Sequence, residues 1–185
     1  FTISDYLTVW DETVEGRRAV YRPTVHYAYM PCDNAILSLY ELAMRNFQLQ
    51  PKLRIMSEEI TGGMDELGVL LMGHGLSGWW TGSQLDIHET RQHVQGQNAT
   101  TLQVAAAVLG GLVFMIGNPH KGILVPDELP YKDILDVAGP YLGPCPSVPT
   151  NWTPLESRSR LFGKWGAPLV DEADLWQFAS FAMEP

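Results

Sequence analysis

The sequence predicts an α+β domain: a mostly antiparallel or mixed sheet covered by helices on one face. Three observations carry that prediction. An apolar run at 67–72 and an alternating run at 79–87 flank a glycine-rich segment at 73–78, the pattern of a β-hairpin. Residues 100–116 are apolar nearly all round and follow Asn98, as expected of a capped helix that must be buried on several sides. Finally, the elements run strand, helix, strand, hairpin, helix, without the strict alternation that builds a parallel sheet.

Taken in order, residues 2–10 alternate well enough for a first strand. A second extended run, 20–29, contains Pro23, which places it at a sheet edge or starts the strand at Thr24. Pro31, Cys32 and Asp33 stop it, and Asp33 or Asn34 caps a helix. Ile36, Leu39, Tyr40, Ala43, Met44 and Phe47 then follow the helical repeat, with Pro51 closing the segment. Residues 53–60 read as a strand, and Thr61-Gly62-Gly63 as a turn leading into the hairpin. The apolar helix ends at Gly117-Asn118-Pro119. A short strand at 122–125 precedes a helix with Pro130 in its first turn, ending at Gly139-Pro140. From Pro140 onward prolines and glycines dominate, and that tail reads as irregular chain packed over the domain.

At 185 residues the chain fits one domain of globular composition, 45% hydrophobic and 18% charged. Its net charge of -9 repels phosphate backbones and anionic membranes and attracts cations. Nucleic acid and membranes are therefore poor partners, and a cationic small molecule is a natural one. The two cysteines, Cys32 and Cys145, have no paired spacing, which points to a reducing compartment without disulfides. The apolar run 104–116 falls short of the roughly 20 residues of a bilayer span. The sequence does not open on a charged-then-apolar signal peptide, and its first residue is Phe1 rather than methionine, so a segment upstream is expected to have been removed or left out.

Gly73-His74-Gly75-Leu76-Ser77-Gly78 satisfies G-x-G-x-x-G literally. That fingerprint binds a pyrophosphate only where a helix begins behind it. Here Trp79, Trp80, Thr81 and Gly82 follow, an alternating segment, so the glycines read as a hairpin turn. His88 and His93 stand five apart, one too many for the helical zinc pair. No metal site is expected. No nucleophile elbow, Walker loop or calcium loop occurs.

Three polar groups stand out. His26 sits among tyrosines just before Asp33, and histidine is the side chain most easily poised for proton transfer near neutral pH. Packed structural histidines share such settings. Trp79-Trp80 with Ser83-Gln84 forms a second group, in which an indole face can hold an ammonium or simply fill a core. Asp65-Glu66, near a strand start, suits a cationic substrate or plain solvation.

The strings Tyr21-Arg22-Pro23-Thr24-Val25-His26-Tyr27, Pro31-Cys32-Asp33, and Leu67-Gly68-Val69-Leu70-Leu71-Met72-Gly73-His74 resemble the carboxy-terminal part of bacterial homospermidine synthases. So do Trp80-Thr81-Gly82-Ser83-Gln84-Leu85, Asn98-Ala99-Thr100-Thr101-Leu102-Gln103-Val104 and Pro140-Tyr141-Leu142-Gly143-Pro144. Those enzymes are similar to saccharopine dehydrogenases. The resemblance implies an amino-terminal Rossmann domain, absent from this chain, that carries NAD. The present residues 1–185 would then be the substrate-binding and dimerisation domain. It further implies a cytoplasmic, homodimeric enzyme that transfers an aminobutyl group between two putrescine molecules, with NAD as a recycled hydride carrier.

Such chemistry needs anchors for an ammonium, a proton shuttle and a pocket closed to water. The resemblance assigns the shuttle or amine-orienting role to His26. Trp80 and Ser83 would line the substrate mouth, and Asp33 and Asn98 would hold the surrounding shell at helix N-termini. Relatives are expected to carry an acid two positions after the histidine; this chain has Ala28. Two other readings remain at this stage. One is a saccharopine-type dehydrogenase, whose carboxylate substrates call for arginines that are sparse here. The other is a non-catalytic binding or dimerisation domain.

Overall fold

A computed structural model describes residues 2–13, 16–153, 173 and 176. The chain forms two compact units, one of residues 1–56 with 125–127, the other of 57–124 with 128–185.

In the first unit a short helix α1 (Thr2–Tyr6) precedes the antiparallel pair β1 (Val9–Thr13) and β2 (Gly16–Tyr21), with Thr13 opposite Gly16. The strand expected over 2–10 therefore starts only at Val9. Hydrogen bonds explain the change: Thr8 Oγ1 donates to Ser4 O, and Leu7 N to Ile3 O, closing a helical turn. Arg22 locks that turn by donating to Asp5 and to Thr8 Oγ1. The expected strand from Thr24 is absent as well. Residues 22–32 have no ladder partner, and Pro23 and Pro31 at its two ends each lack the N–H a ladder needs.

Helix α2 (Asp33–Met44) follows. Its cap is Cys32, in extended backbone and without a side-chain bond, so neither Asp33 nor Asn34 caps it. Asp33 instead lies in the first turn, where its charge favours the positive end of the helix dipole. Among the described residues α2 buries none of its side chains; Leu37, Leu39, Tyr40 and Met44 are exposed. The strand expected over 53–60 is not formed.

The second unit is built on β3 (Met64–His74) and β4 (Ser77–Asp86), the hairpin the sequence announces, with Leu70 opposite Trp80 and Glu66 opposite Gln84. A third antiparallel strand, β5 (Ser147–Thr150), lies along β4, with Val148 opposite Trp80. Gln84 N and Gly82 N donate to Pro144 O and Pro146 O, extending that contact. The stretch expected to be irregular thus contains an edge strand. Proline is tolerated there because the edge leaves some N–H positions unused.

Helix α3 (Ile87–His93) follows β4 directly. Asp86 accepts from the backbone N–H groups of His88 and Glu89. These bonds, Glu89's first, hold the Asp86 carboxyl below its usual range. Helix α4 (Ala99–Gly117) is capped as expected, Asn98 Oδ1 accepting from Thr101 N at 2.9 Å. It is long and apolar enough to cross a membrane by length and composition. Its buried side, however, is packed on protein. Gln103 and Ala106 are buried, and a Cβ on Gly110 would stand 2.9 Å from Ile134 of helix α5 (Tyr131–Ala138). No strand forms over 122–125. Leu85, fully buried, packs with Ala99 and Leu102, and Tyr141 closes the cluster. The fold is α+β with antiparallel sheets.

Candidate functional site

Strand parity decides what the sheet can present. Asp65, Leu67, Thr81, Ser83 and Leu85 turn toward the side that carries α4. Glu66, Gly68, Leu70, Trp80, Gly82 and Gln84 turn to the other side. Cross-strand partners agree, since Glu66 pairs with Gln84, Gly68 with Gly82 and Leu70 with Trp80. On this second face lies a hollow of about 560 Å³, lined by Glu66, Leu70, Trp80, Gln84, Val148 and Trp152 among others.

Two glycines flank Trp80 on this face. Gly68 and Gly82 sit opposite each other, and the Trp80 indole lies against Gly68. At the far end Gln84 Nε2 donates to Glu66 Oε1 at 2.6 Å, which fixes the carboxylate while leaving its charge in place. Two indoles and one carboxylate around an apolar floor suit a cation with a hydrocarbon stem.

The residues singled out from sequence separate accordingly. Trp80 belongs to the hollow. Ser83 does not: it is buried on the α4 side, donates to Leu142 O, and accepts from Gln103 Nε2 at 2.8 Å. Trp80 and Ser83 therefore do not line one mouth. An offset of three along a strand puts them on opposite faces. Asn98 stands at the N-terminus of α4 as its cap. In the other unit, His26 is exposed, in the extended segment between β2 and α2 rather than on a strand, and Asp33 is exposed in the first turn of α2. Arg22 fixes the start of the His26 segment, and Ser4 Oγ donates to Pro23 O at 2.8 Å.

Sequence reasoning singled out Glu66 and Gln84 in two separate polar groups but missed Trp152, Val148 and Gln103. The first two arrive with β5, hidden by its prolines. Gln103 was masked by the apolar run around it. Its amide donates to Asp65 O and to Ser83 Oγ, tying α4 to both hairpin strands.

A dinucleotide finds no fitting cradle in the one string that suggested it. Gly73–Gly78 is the hairpin turn, with His74 paired to Ser77 and strand β4, not a helix, behind it. Among the described residues no three His, Cys, Asp or Glu side chains gather as a metal site.

Comparison with known proteins adds the context. The profile of the saccharopine dehydrogenase C-terminal domain matches residues 3–145. Homospermidine synthase of Blastochloris viridis is 49% identical over 178 residues, covering 96% of this chain and 36% of that protein. The homospermidine synthase of Mesorhizobium japonicum is 45% identical over the same length, with 35% of it covered. The crystal structure of the homospermidine synthase of Legionella pneumophila in complex with NAD superposes with a TM-score of 0.81 at 42% identity. It covers 96% of this chain and 37% of that one. The chain thus spans about a third of the length of these relatives.

Proposed function

Because this chain belongs to the saccharopine dehydrogenase C-terminal domain family, we propose that it is the carboxy-terminal part of a homospermidine synthase. Two putrescine molecules would give one homospermidine and one ammonia, with no net oxidation. The observation that carries this reading is the 49% identity to an enzyme of that name along 96% of the chain. NAD, when bound, supplies a transient hydride acceptor, and we assign its binding to the part of the protein outside these residues.

This chain's own residues supply binding and proton handling. Glu66 and Trp80 hold the ammonium end of a diamine, the carboxylate by charge and the indole by its face. His26 moves a proton to or from the amine whose carbon reacts. Asn98 orders the N-terminus of α4, and Asp33 lies in the first turn of α2, each within its own unit. Ser83 acts through Gln103 and Leu142, keeping the sheet that carries Trp80 in place. The exposed side chains of Tyr27, Tyr29, Met30 and α2 support the idea that further chain covers them and excludes water. The working enzyme is taken to be a cytoplasmic homodimer.

The test uses the full-length protein with putrescine and a catalytic amount of NAD. Ammonia should be released while NADH stays flat. NADH rising in step with substrate loss would instead identify a dehydrogenase.

A further inference from the structure

Gln103 occupies a core position of helix α4, only 2% exposed, with Leu102 and Ala106 buried near it on the same helix. An apolar side chain is the ordinary occupant of such a place. The amide comes at a cost. Its Oε1 is buried and has no hydrogen-bond partner among the described residues, and a buried acceptor without a donor opposes folding. What the amide supplies is its donors: Nε2 donates to Asp65 O on β3 at 3.2 Å and to Ser83 Oγ on β4 at 2.8 Å.

Those two acceptors bracket one rung of the hairpin. Asp65 precedes Glu66, Ser83 precedes Gln84, and Glu66 and Gln84 are cross-strand partners. Gln103 therefore grips the rung from the α4 side, while the side chains of Glu66 and Gln84 turn to the hollow. Thr100, three positions earlier and so on the same side of the helix, adds a second hold by donating to Asp65 Oδ2. Ser83 Oγ passes the contact on by donating to Leu142 O. The hairpin needs such a grip. Its next rung facing the hollow is Gly68 opposite Gly82, and glycine-rich pairing specifies register weakly. Toward the turn the pairing shifts between Leu71 and His74, so the ladder is irregular at that end.

We propose that Gln103 is a positioning residue for the amine site. Through Asp65 O and Ser83 Oγ it fixes β3 against β4, and so sets where the Glu66 carboxylate stands relative to the Trp80 ring. Gln103 itself touches no substrate, since it lies on the opposite side of the sheet. This rests on the assignment of the hollow to the substrate amine.

The experiment is a double-mutant cycle on the full-length enzyme, with putrescine as the varied substrate. Gln103→Met keeps the length of the side chain and removes the donors. It should raise KM roughly three- to tenfold with kcat nearly unaltered. Glu66→Gln alone should raise KM as well, and adding Gln103→Met to it should raise KM no further, because the charge being positioned is gone. Factors that multiply in the double variant would make Gln103 a general support of the fold, overturning the positioning role and leaving the hollow as the amine site. A Gln103→Met enzyme with the KM of the wild type has the same meaning. A Glu66→Gln enzyme with unchanged KM overturns the hollow as the amine site, and the role of Gln103 with it. Where circular dichroism shows Gln103→Met to be unfolded, Ser83→Ala, which removes one of the two acceptors, takes its place in the cycle and the same outcomes apply.

Discussion

The Trp80 indole lies across Gly68: a Cβ added to that glycine would stand 2.7 Å from Trp80 Cζ2. Trp80 is one wall of the hollow on the open face of the sheet, and a side chain at Gly68 would displace its ring. A Cβ there would also stand 2.6 Å from Thr81 O, so Gly68→Val should part the two strands locally as it lifts the indole and disturbs the hollow. Tryptophan emission should shift to the red, and the KM for putrescine in the full-length enzyme should rise by about two- to thirty-fold, the range of a cation–π contact of roughly 0.5–2 kcal/mol. A red shift with an unchanged KM would dissociate Trp80 from the substrate.

Glu66→Gln provides a charge test with little change of shape. The amide preserves a hydrogen-bond partner for Gln84 and removes the anion. We expect KM for the diamine to rise with kcat nearly unaltered, since the group binds rather than reacts. Raising the salt concentration should weaken the wild type toward the variant, because the carboxylate is exposed. Equal loss in kcat and kcat/KM would instead make Glu66 part of the chemistry.

The cap of α4 is testable by stability. Asn98→Ala removes the acceptor for Thr101 N and should cost about 1 kcal/mol, read as a lower urea midpoint with an unchanged slope. Asn98→Asp, which retains the acceptor, should recover most of it. In the core, Leu85→Ala should cost about 2–5 kcal/mol, since Leu85 is completely buried.

Asp86 sets a pH dependence. Its carboxyl is held below the ordinary range by the N–H groups of Glu89 and His88. A depressed folded-state pKa means that its stabilising contribution is fully present above the unfolded carboxylate pKa and is lost as pH falls through the folded one. Urea midpoints should therefore decline on acidification from about pH 5 downward. Asp86→Asn, a cap that does not titrate in that window, should flatten this part of the curve.

Local patterns in the sequence made much of this fold readable. The hairpin followed from an apolar run and an alternating one around glycines, and α4 from Asn98 and a helix-length run that is apolar nearly all round. The errors lie where distant hydrogen bonds outweigh local pattern. Thr8 and Arg22 wind residues 2–6 into a helical turn that alternation alone reads as strand. Pro146 and Pro149 disguise β5, whose existence depends on β4 lying beside it. At the site, the parity separating Trp80 from Ser83 was present in the sequence, because three steps along a strand always reverse the face. Trp152 was not readable, since its place depends on β5. The role of His26 came from resemblance; its neighbouring residues alone left a packed structural histidine equally open.

The most direct measurement follows the hydride. Full-length enzyme would be given putrescine deuterated at both carbons next to nitrogen, with unlabelled NAD in catalytic amount, and the product weighed by mass spectrometry. Beyond the first turnover, homospermidine should keep every deuterium, because the hydride removed from one carbon returns to it. Label lost to a standing pool of reduced cofactor, or an oxidised product in place of homospermidine, would contradict the account.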